Sequence, residues 1–191
     1  MKILVALLIL LLASATATAD DRSYRFGIMP TISIFNVEDP NGPTESANAF
    51  SYANLVMMAD MGRDGRIMAN MSYDRFSLSA TQTSIGQDVS RMGGSVSYQT
   101  LWRVGRDFKP WIGLGLGAAS DSYKGRYTLS PGGFSIAANP TDRSLNEIFL
   151  VANASADWPM SKSLDMGIHL QLEQPAGDGT RVLRLGLYFI Y

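Results

Sequence analysis

Hydrophobic and polar residues alternate one by one along most of the chain. From Leu164 to Glu173 the sequence reads LDMGIHLQLE, and every second residue is leucine, methionine or isoleucine. The final segment, Arg181 to Tyr191, repeats the pattern. Because successive side chains of a β-strand point to opposite faces, this period of two predicts strands with one apolar and one polar face. Six further segments alternate in the same way: Tyr24–Asn36, Phe50–Met61, Arg66–Asp74, Arg91–Arg103, Phe108–Ala119 and Asn146–Trp158.

The connections between these eight predicted strands alternate between short and long. Glycine, proline, asparagine, aspartate and serine punctuate all of them, as turns require. The pattern predicts an all-β fold, an eight-stranded antiparallel up-and-down β-barrel with one trimmed rim and one elaborated rim. Phe50–Met61 fits least well, because both of its faces carry apolar residues. The short turns are Gly62–Gly65, Gly105–Asp107 and Pro159–Ser163, and the long connections are Val37–Ala49, Arg75–Ser90, Ser120–Leu145 and Gln174–Thr180.

The first 19 residues have a different character. Lys2 precedes an unbroken apolar run from Ile3 to Ala13, and the small residues Ala17, Thr18 and Ala19 follow. This order predicts a secretory signal peptide over residues 1–19 and a barrel domain over residues 20–191. A membrane-anchoring helix is the alternative, but the run is shorter than the ~20 residues that a helical span needs.

Composition excludes several kinds of chemistry. The chain has no cysteine and one histidine, His169, so disulfides, thiolate catalysis, cysteine-based zinc sites and a histidine-rich metal site are excluded, and we predict no cofactor. The formal net charge is −1. It gives no support to a nucleic-acid partner, since phosphate binding needs clustered lysine and arginine.

The composition of the polar faces indicates whether they line the bore or face water, and therefore on which side of the barrel the apolar faces lie. Water-facing strands normally carry lysine and glutamate, yet the chain has four lysines and only Lys109 lies in a predicted strand. Small and amide side chains dominate instead, and these fit the bore of an eight-stranded barrel. We therefore predict a transmembrane barrel, with a soluble, lipocalin-like barrel as the alternative. Four aromatic residues at one rim predict a periplasmic aromatic girdle: Tyr24, Trp102, Trp158 and Tyr191.

This architecture resembles the small eight-stranded outer-membrane barrel superfamily, which includes the OmpA transmembrane domain and the OmpX/Ail group. The resemblance covers the whole predicted barrel, and its most specific part is the last strand, where Leu183, Leu185, Leu187 and Phe189 alternate before Tyr191. It implies a Gram-negative outer-membrane location with periplasmic termini. It also implies that the barrel-assembly machinery reads the last strand. The expected surroundings are outer-membrane lipid and lipopolysaccharide, and we expect a monomer.

Charged residues on the polar faces are expected inside the bore, with mixed signs at each level. Buried charges must pair or be hydrogen-bonded, so we interpret them as a structural salt-bridge network. A proton or ion path, or a carboxylate site at Glu147 and Glu173, is the functional alternative. Toward the short-turn rim we place Arg25, Asp60, Arg103, Lys109, Asp157 and Asp165; His169 lies near mid-height, and Asp74, Glu147, Glu173 and Arg184 lie toward the other rim.

Small barrels that modify lipid A provide a catalytic alternative. The lipid A 3-O-deacylase family resembles this chain in strand number and size and uses a His-x-Ser pair, but here the residues read His169-Leu170-Gln171. The palmitoyltransferase barrels depend on a histidine near the first outer loop, where this chain has none. We therefore expect a non-enzymatic protein with a structural, envelope-integrity or adhesion role, and keep a narrow pore and a lipid A-modifying enzyme as alternatives.

The long connections are the expected place of binding, since loops on a rigid scaffold carry function. Ser120–Leu145 is the longest, and we predict that it forms a protruding hairpin around Ser130–Gly133. Its candidate contact residues are Lys124, Arg126, Tyr127 and Phe134.

Overall fold

The computed structural model describes residues 24–38, 44–80, 86–103, 110–129, 135–139 and 142–191. Eight strands close into an antiparallel barrel in the order β1-β10-β9-β8-β5-β4-β3-β2, and β6 with β7 forms a separate two-stranded ribbon. None of the described residues belongs to a helix long and apolar enough to cross a membrane. The strands are β1 (Tyr24–Val37), β2 (Glu45–Asp60), β3 (Gly65–Leu78), β4 (Gln87–Leu101), β5 (Trp111–Tyr123), β6 (Arg126–Leu129), β7 (Ser135–Asn139), β8 (Arg143–Pro159), β9 (Asp165–Pro175) and β10 (Thr180–Ile190).

The predicted eight-stranded up-and-down barrel is confirmed. The first and last strands close it, from the pair Val37 and Thr180 at one rim to Gly27 and Ile190 at the other. Beyond that register Tyr191 and Phe26 exchange two backbone hydrogen bonds, of 3.0 and 2.9 Å. Closure pairs the strand edges with one another, which is a condition for a sheet in a solvent that offers no hydrogen bonds.

The barrel wall extends further toward the long-connection rim, called here the loop end, than the apolar pattern predicted. β2 begins at Glu45 instead of Phe50, and β5 ends at Tyr123 instead of Ala119. The opposite rim, with the short turns, is the turn end. Residues in these extensions are polar on the outer face, so the apolar alternation stops while backbone pairing continues.

Large apolar side chains face outward on all eight barrel strands. On β9, Ile168 and Leu170 are 44% and 46% exposed, whereas the intervening His169 is fully buried. This orientation makes the lipocalin-like alternative wrong, because that barrel would bury its apolar faces and expose its polar ones.

A β-bulge, together with the inward apolar residues Val56 and Met58, explains why Phe50–Met61 looked apolar on both faces. Thr31 pairs with Ser51 and Met29 with Asn54, so two residues of β2 oppose the single residue Pro30 of β1. Proline lacks the N–H that a ladder needs, and the extra residue shifts the phase of β2 by one. Odd-numbered residues of β2 point inward before the bulge and even-numbered ones after it. Ser51 and Asn54 replace part of the ladder to β3: the Ser51 hydroxyl donates to Tyr73 O (2.5 Å), and the Tyr73 N–H donates to Asn54 Oδ1 (3.4 Å). Asn54 Nδ2 also donates to Thr31 Oγ1 of β1 (2.7 Å).

The bore is only partly polar, which corrects the expectation of an interior made of small polar groups and charges. An apolar cluster fills the loop end, where the rings of Phe35 and Phe76 stack with centroids 4.2 Å apart. Near the turn end the buried cluster comprises Met29, Val56, Met58, Met68, Tyr188 and Ile190. The charged network around Arg91 and Arg184, described below, lies between these two clusters.

Two wall glycines leave space for a large ring from the neighbouring strand. Gly167 pairs with Tyr188 and Gly117 with Phe149. A Cβ atom at either glycine would overlap the ring of its partner. The aromatic side chains therefore lie against bare backbone, which lets bulky residues fit a narrow bore.

Candidate functional site

Arg184 of β10 holds together the first part of the interior network. Its Nη1 donates to Asp74 Oδ2 at 2.7 Å and to Ser33 Oγ at 3.0 Å, and its Nε donates to Glu173 Oε1 at 2.7 Å. All three charged groups are buried. The structure thus brings together three residues that the sequence placed toward the same rim.

Arg91 of β4 forms the second part. Its Nη1 donates to both carboxylate oxygens of Asp121, at 2.9 Å each, and contacts Glu147 Oε1. Its Nη2 lies 3.3 Å from Glu173 Oε2, so Glu173 links the two arginines. Thr180 completes the cluster by donating its backbone N–H to Glu147 Oε2 and its hydroxyl to Asp121 Oδ2.

Arg91 and Asp121 were absent from the predicted network. Arg91 stood at the edge of a predicted strand and Asp121 in a predicted loop. Strand alternation could have placed both residues inside. Arg91 lies on the same face of β4 as the inward-facing Ser95 and Ser97, and Asp121 lies on the same face of β5 as the inward-facing Ala119.

The two arginines face an excess of acid. Four carboxyl groups, those of Asp74, Asp121, Glu147 and Glu173, contact two guanidinium groups. In a buried network, removal of one cation leaves its partners uncompensated, which costs more than the ion pairs themselves contribute. The arginines are therefore the residues on which this network depends most.

His169 lies at mid-height, as predicted, and faces the bore. Its Nε2 lies 3.2 Å from Gln171 Oε1, and the same oxygen accepts a hydrogen bond of 2.8 Å from Asn70 Nδ2. Gln171 Nε2 in turn donates to Glu173 Oε1 at 2.9 Å. The histidine thus belongs to the hydrogen-bonded interior and is shielded from the outer face of the barrel.

Arg25 and Arg66 organise the turn end of the bore. Arg25 pairs with Asp165 at 2.6 Å and Asp60 at 3.0 Å. Arg66, which was not predicted inside, pairs with Asp157 at 3.0 Å, donates to Gln99 and Ser155, and lies 4.2 Å from the ring centroid of Trp111.

Arg103 is the predicted bore residue that lies elsewhere. It pairs with Asp64 at 2.6 Å, and both side chains are about half exposed. The strand ends at Leu101, so strand alternation no longer directs this side chain inward. Lys109 lies outside the described residues.

The four aromatic residues predicted as a girdle all lie at the turn end. Trp102 follows β4 beside the β2–β3 turn, where the Leu101 N–H donates to Asp64 O. Trp158 pairs with Met166, and Tyr24 pairs with Ala59. Tyr191 follows β10 and pairs with Phe26. Trp102 and Tyr191 are well exposed, at 57% and 70%, and Trp158 less so. Their role as a membrane girdle remains a prediction.

The base of the predicted hairpin is held by a carboxylate clasp at the loop end. Lys124 Nζ lies 2.8 Å from Asp142 Oδ2, and the Gly125 N–H donates to Asp142 Oδ1 at 3.1 Å. These bonds lower the pKa of Asp142 and raise that of Lys124. Beyond the clasp β6 and β7 pair antiparallel, from Arg126 and Asn139 to Leu129 and Ser135, as the predicted hairpin requires. Arg126 and Tyr127 lie in β6, and Phe134 lies outside the described residues.

Comparisons with known proteins identify the fold. The sequence matches no protein-family model and no curated protein closely enough to count as a relative. Among solved structures, Ail, the attachment invasion locus protein of Yersinia pestis in complex with the heparin analogue sucrose octasulfate, superposes with a TM-score of 0.50 at 15% identity, covering 88% of this chain and 98% of that one. Neisserial surface protein A (NspA) gives a TM-score of 0.54 at 16% identity, covering 90% and 98%. The chain has the fold of the small eight-stranded outer-membrane barrels.

Proposed function

We propose that the chain is an integral outer-membrane barrel with a closed bore, and that it serves envelope integrity or adhesion through its outer surface without catalysing a reaction. The observation that carries this proposal is the combination of an apolar outside with an inside filled by paired charges and two apolar clusters. Such a wall suits a membrane. In the described part of the chain, paired charges and apolar side chains fill the interior, which suits neither transport nor catalysis.

The outer face supports the membrane location. Leu114 and Leu116 of β5 are 72% and 60% exposed, and every other barrel strand also presents large apolar side chains. A continuous belt of this size would be a liability in water and is expected in lipid. In this proposal residues 1–19 are the export signal, the turn end faces the periplasm, and the barrel-assembly machinery reads the strand that ends at Tyr191.

The interior supports a structural role over a narrow pore. The Arg91 and Arg184 pairs cross the bore between strands distant in sequence, and the stacked Phe35 and Phe76 lie beyond them toward the loop end. An ion crossing the barrel would have to displace both layers. Breaking buried ion pairs costs several kcal/mol (~3–5) per pair, so we expect no steady conductance.

The position of His169 supports a non-enzymatic role over lipid A modification. Its side chain is buried in the bore, with its Nε2 against Gln171. A lipid substrate lies outside the barrel, so this imidazole has no route to it. Adhesion is the favoured use of the loop end, because the clasped β6–β7 ribbon extends beyond the wall. Ail, which shares the fold, was solved with a sulfated sugar analogue.

Cell fractionation with two epitope tags tests the location. One tag follows Gly132, between β6 and β7, and the matched control tag lies in the Gly62–Asp64 turn. We expect the full chain in the outer-membrane fraction, with the first tag stained on intact cells and the second stained only after the outer membrane is opened. Recovery of the protein in the soluble periplasm, or the reverse staining, contradicts the proposal.

Two further measurements test the closed bore and the absence of catalysis. In planar bilayers we expect the purified protein to show no steady channel events. Mass spectrometry of lipid A from cells with and without the protein should give the same species. Regular conductance steps would favour the pore, and a protein-dependent change in lipid A acylation would favour the enzyme.

A further inference from the structure

The outer wall carries an open groove near the loop end, across β3, β4 and β5. Its volume is about 470 Å³. One row of its lining runs straight across the three strands, since Arg75 pairs with Ser90 and Ser90 with Ser122. A second row lies one step further out, where Ser77 pairs with Asp88 and the Lys124 N–H bonds to Asp88 O at 3.0 Å. The serines are small, so the wall is recessed between the longer side chains of Arg75 and Lys124.

The groove begins where the apolar belt ends. Tyr73 and Met92 form the cross-strand pair just inside the Arg75 row, and both are exposed large apolar side chains. No large apolar side chain is exposed further out on the described parts of β3 and β4. If the belt lies in lipid, the groove lies at headgroup level, with acyl chains directly beneath it.

Tyr73 orients the side chain of Arg75 in this groove. Its Nε donates to the Tyr73 hydroxyl at 2.8 Å, and its guanidinium carbon lies 5.4 Å from the centroid of that ring. Within the described part of the chain its two terminal nitrogens form no ion pair. The other charged groups are engaged: Lys124 pairs with Asp142 at 2.8 Å, and Asp88 accepts a hydrogen bond of 2.6 Å from Ser77.

We propose that this groove binds the phosphorylated sugar headgroup of a glycolipid in the surrounding outer leaflet, which rests on the proposed membrane location. The guanidinium of Arg75 suits a phosphate, to which two N–H groups can donate side by side. Asp88 would repel a bare phosphate, but its carboxylate accepts hydrogen bonds from sugar hydroxyls, and Ser90 and Ser122 can donate or accept. A headgroup that carries both hydroxyls and phosphate therefore fits better than phosphate alone.

Native mass spectrometry of the folded full chain in detergent tests this site, with purified bis-phosphorylated lipid A as the probe. The main variant is Arg75→Ala. The matched control is Arg181→Ala, because Arg181 is also exposed and lies two residues beyond the last apolar residue of its strand, Leu183. We expect Arg75→Ala to weaken lipid A binding about ten-fold, equivalent to ~1.4 kcal/mol, and Arg181→Ala to leave it unchanged.

A second variant and a second lipid make the test specific. Ser122→Leu fills the groove without changing its charge and should also weaken lipid A binding. Phosphatidylglycerol, which has a phosphate but no sugar, should bind the unaltered protein more weakly than lipid A. Equal losses in Arg75→Ala and Arg181→Ala, no loss in Ser122→Leu, or equal binding of the two lipids would overturn the proposed site.

The outcomes also separate this site from the proposed function. Every variant is first checked for the shift in gel mobility on heating that folded barrels show. A chain that never reaches this form in detergent contradicts the membrane barrel itself. If the protein folds but Arg75→Ala binds lipid A no more weakly than Arg181→Ala does, only the headgroup site is contradicted.

Discussion

Arg184 on β10 donates to Asp74 on β3 across the bore, with 2.7 Å between Nη1 and Oδ2. The two residues are 110 positions apart in the sequence, and β1 and β2 lie between their strands in the barrel. The ion pair therefore ties together parts of the wall that share no backbone hydrogen bonds. Because four carboxyl groups share two arginines in this network, the cation and the anion of the pair are not equivalent.

Replacing Arg184 should destabilise the barrel far more than replacing Asp74. Arg184→Met leaves Asp74 and Glu173 buried with less compensation, and we expect a loss of ~3–5 kcal/mol in the free energy of unfolding. Asp74→Asn keeps the shape and removes one charge from an acid-rich cluster, so its cost should be below about 2 kcal/mol. Urea unfolding in lipid vesicles measures both losses. A larger loss for Asp74→Asn than for Arg184→Met would mean that the excess of carboxyl groups does not determine which partner matters more.

A side chain at Gly167 should destabilise the barrel through steric overlap with Tyr188. A Cβ atom there meets the Tyr188 ring, whereas one at Gly177 meets nothing within 4 Å. We expect Gly167→Ala to cost ~1–3 kcal/mol, as overpacked interiors do, and Gly177→Ala to be close to neutral. Urea unfolding compares the two. Adding Tyr188→Leu should recover part of the loss, and its failure to do so would mean that the ring is not the obstacle.

The sequence predicted the barrel because the alternation of apolar outer and polar inner residues is regular along most of the wall, as Leu164–Glu173 illustrates. The prediction from the sequence failed in two places: where a bulge shifts the alternation, and where the strand continues after its outer face has become polar. The bulge opposite Pro30 shifts the phase of β2 without any special residue at the extra position. Asp121 was assigned to a loop because β5 has a polar outer face at that height. Which charges meet could not be predicted, since Arg184 reaches Asp74 only through the stagger of all the strands between them.

The clasp at the base of the β6–β7 ribbon should open only in strong acid. The pKa of Asp142 lies below its usual value because Lys124 and the Gly125 N–H bond to the ionised form. A lowered pKa means that the clasp is fully formed above the ordinary value of ~3.9 and is lost as the pH falls through the lower value. Hydrogen exchange of the Gly125 amide checks this: we expect protection at pH 4.5 and loss of protection well below that.

Asp142→Asn provides the control for the clasp. It removes the charge while keeping the shape, so the Gly125 amide should exchange faster than in the unaltered protein above the pH at which the clasp opens, and should show no acid transition. If the transition persists in Asp142→Asn, another acidic group controls the ribbon.

Inserting one alanine after Ala53 should prevent the barrel from forming, because the bulge sets which face of β2 points inward. With one more residue at this point, Asn54 would turn to the outer face, and Leu55 would enter the bore in its place. A one-residue slip of this kind reverses every following side chain of the strand. It would also break the hydrogen bond from Asn54 to Thr31. The gel-mobility shift on heating measures the folded fraction, and an alanine inserted after Gly177 in the exposed β9–β10 connection is the control that should still fold. An insertion variant at Ala53 that folds normally would mean that the bulge can absorb a second extra residue, and that it is a consequence of the fold instead of a condition for it.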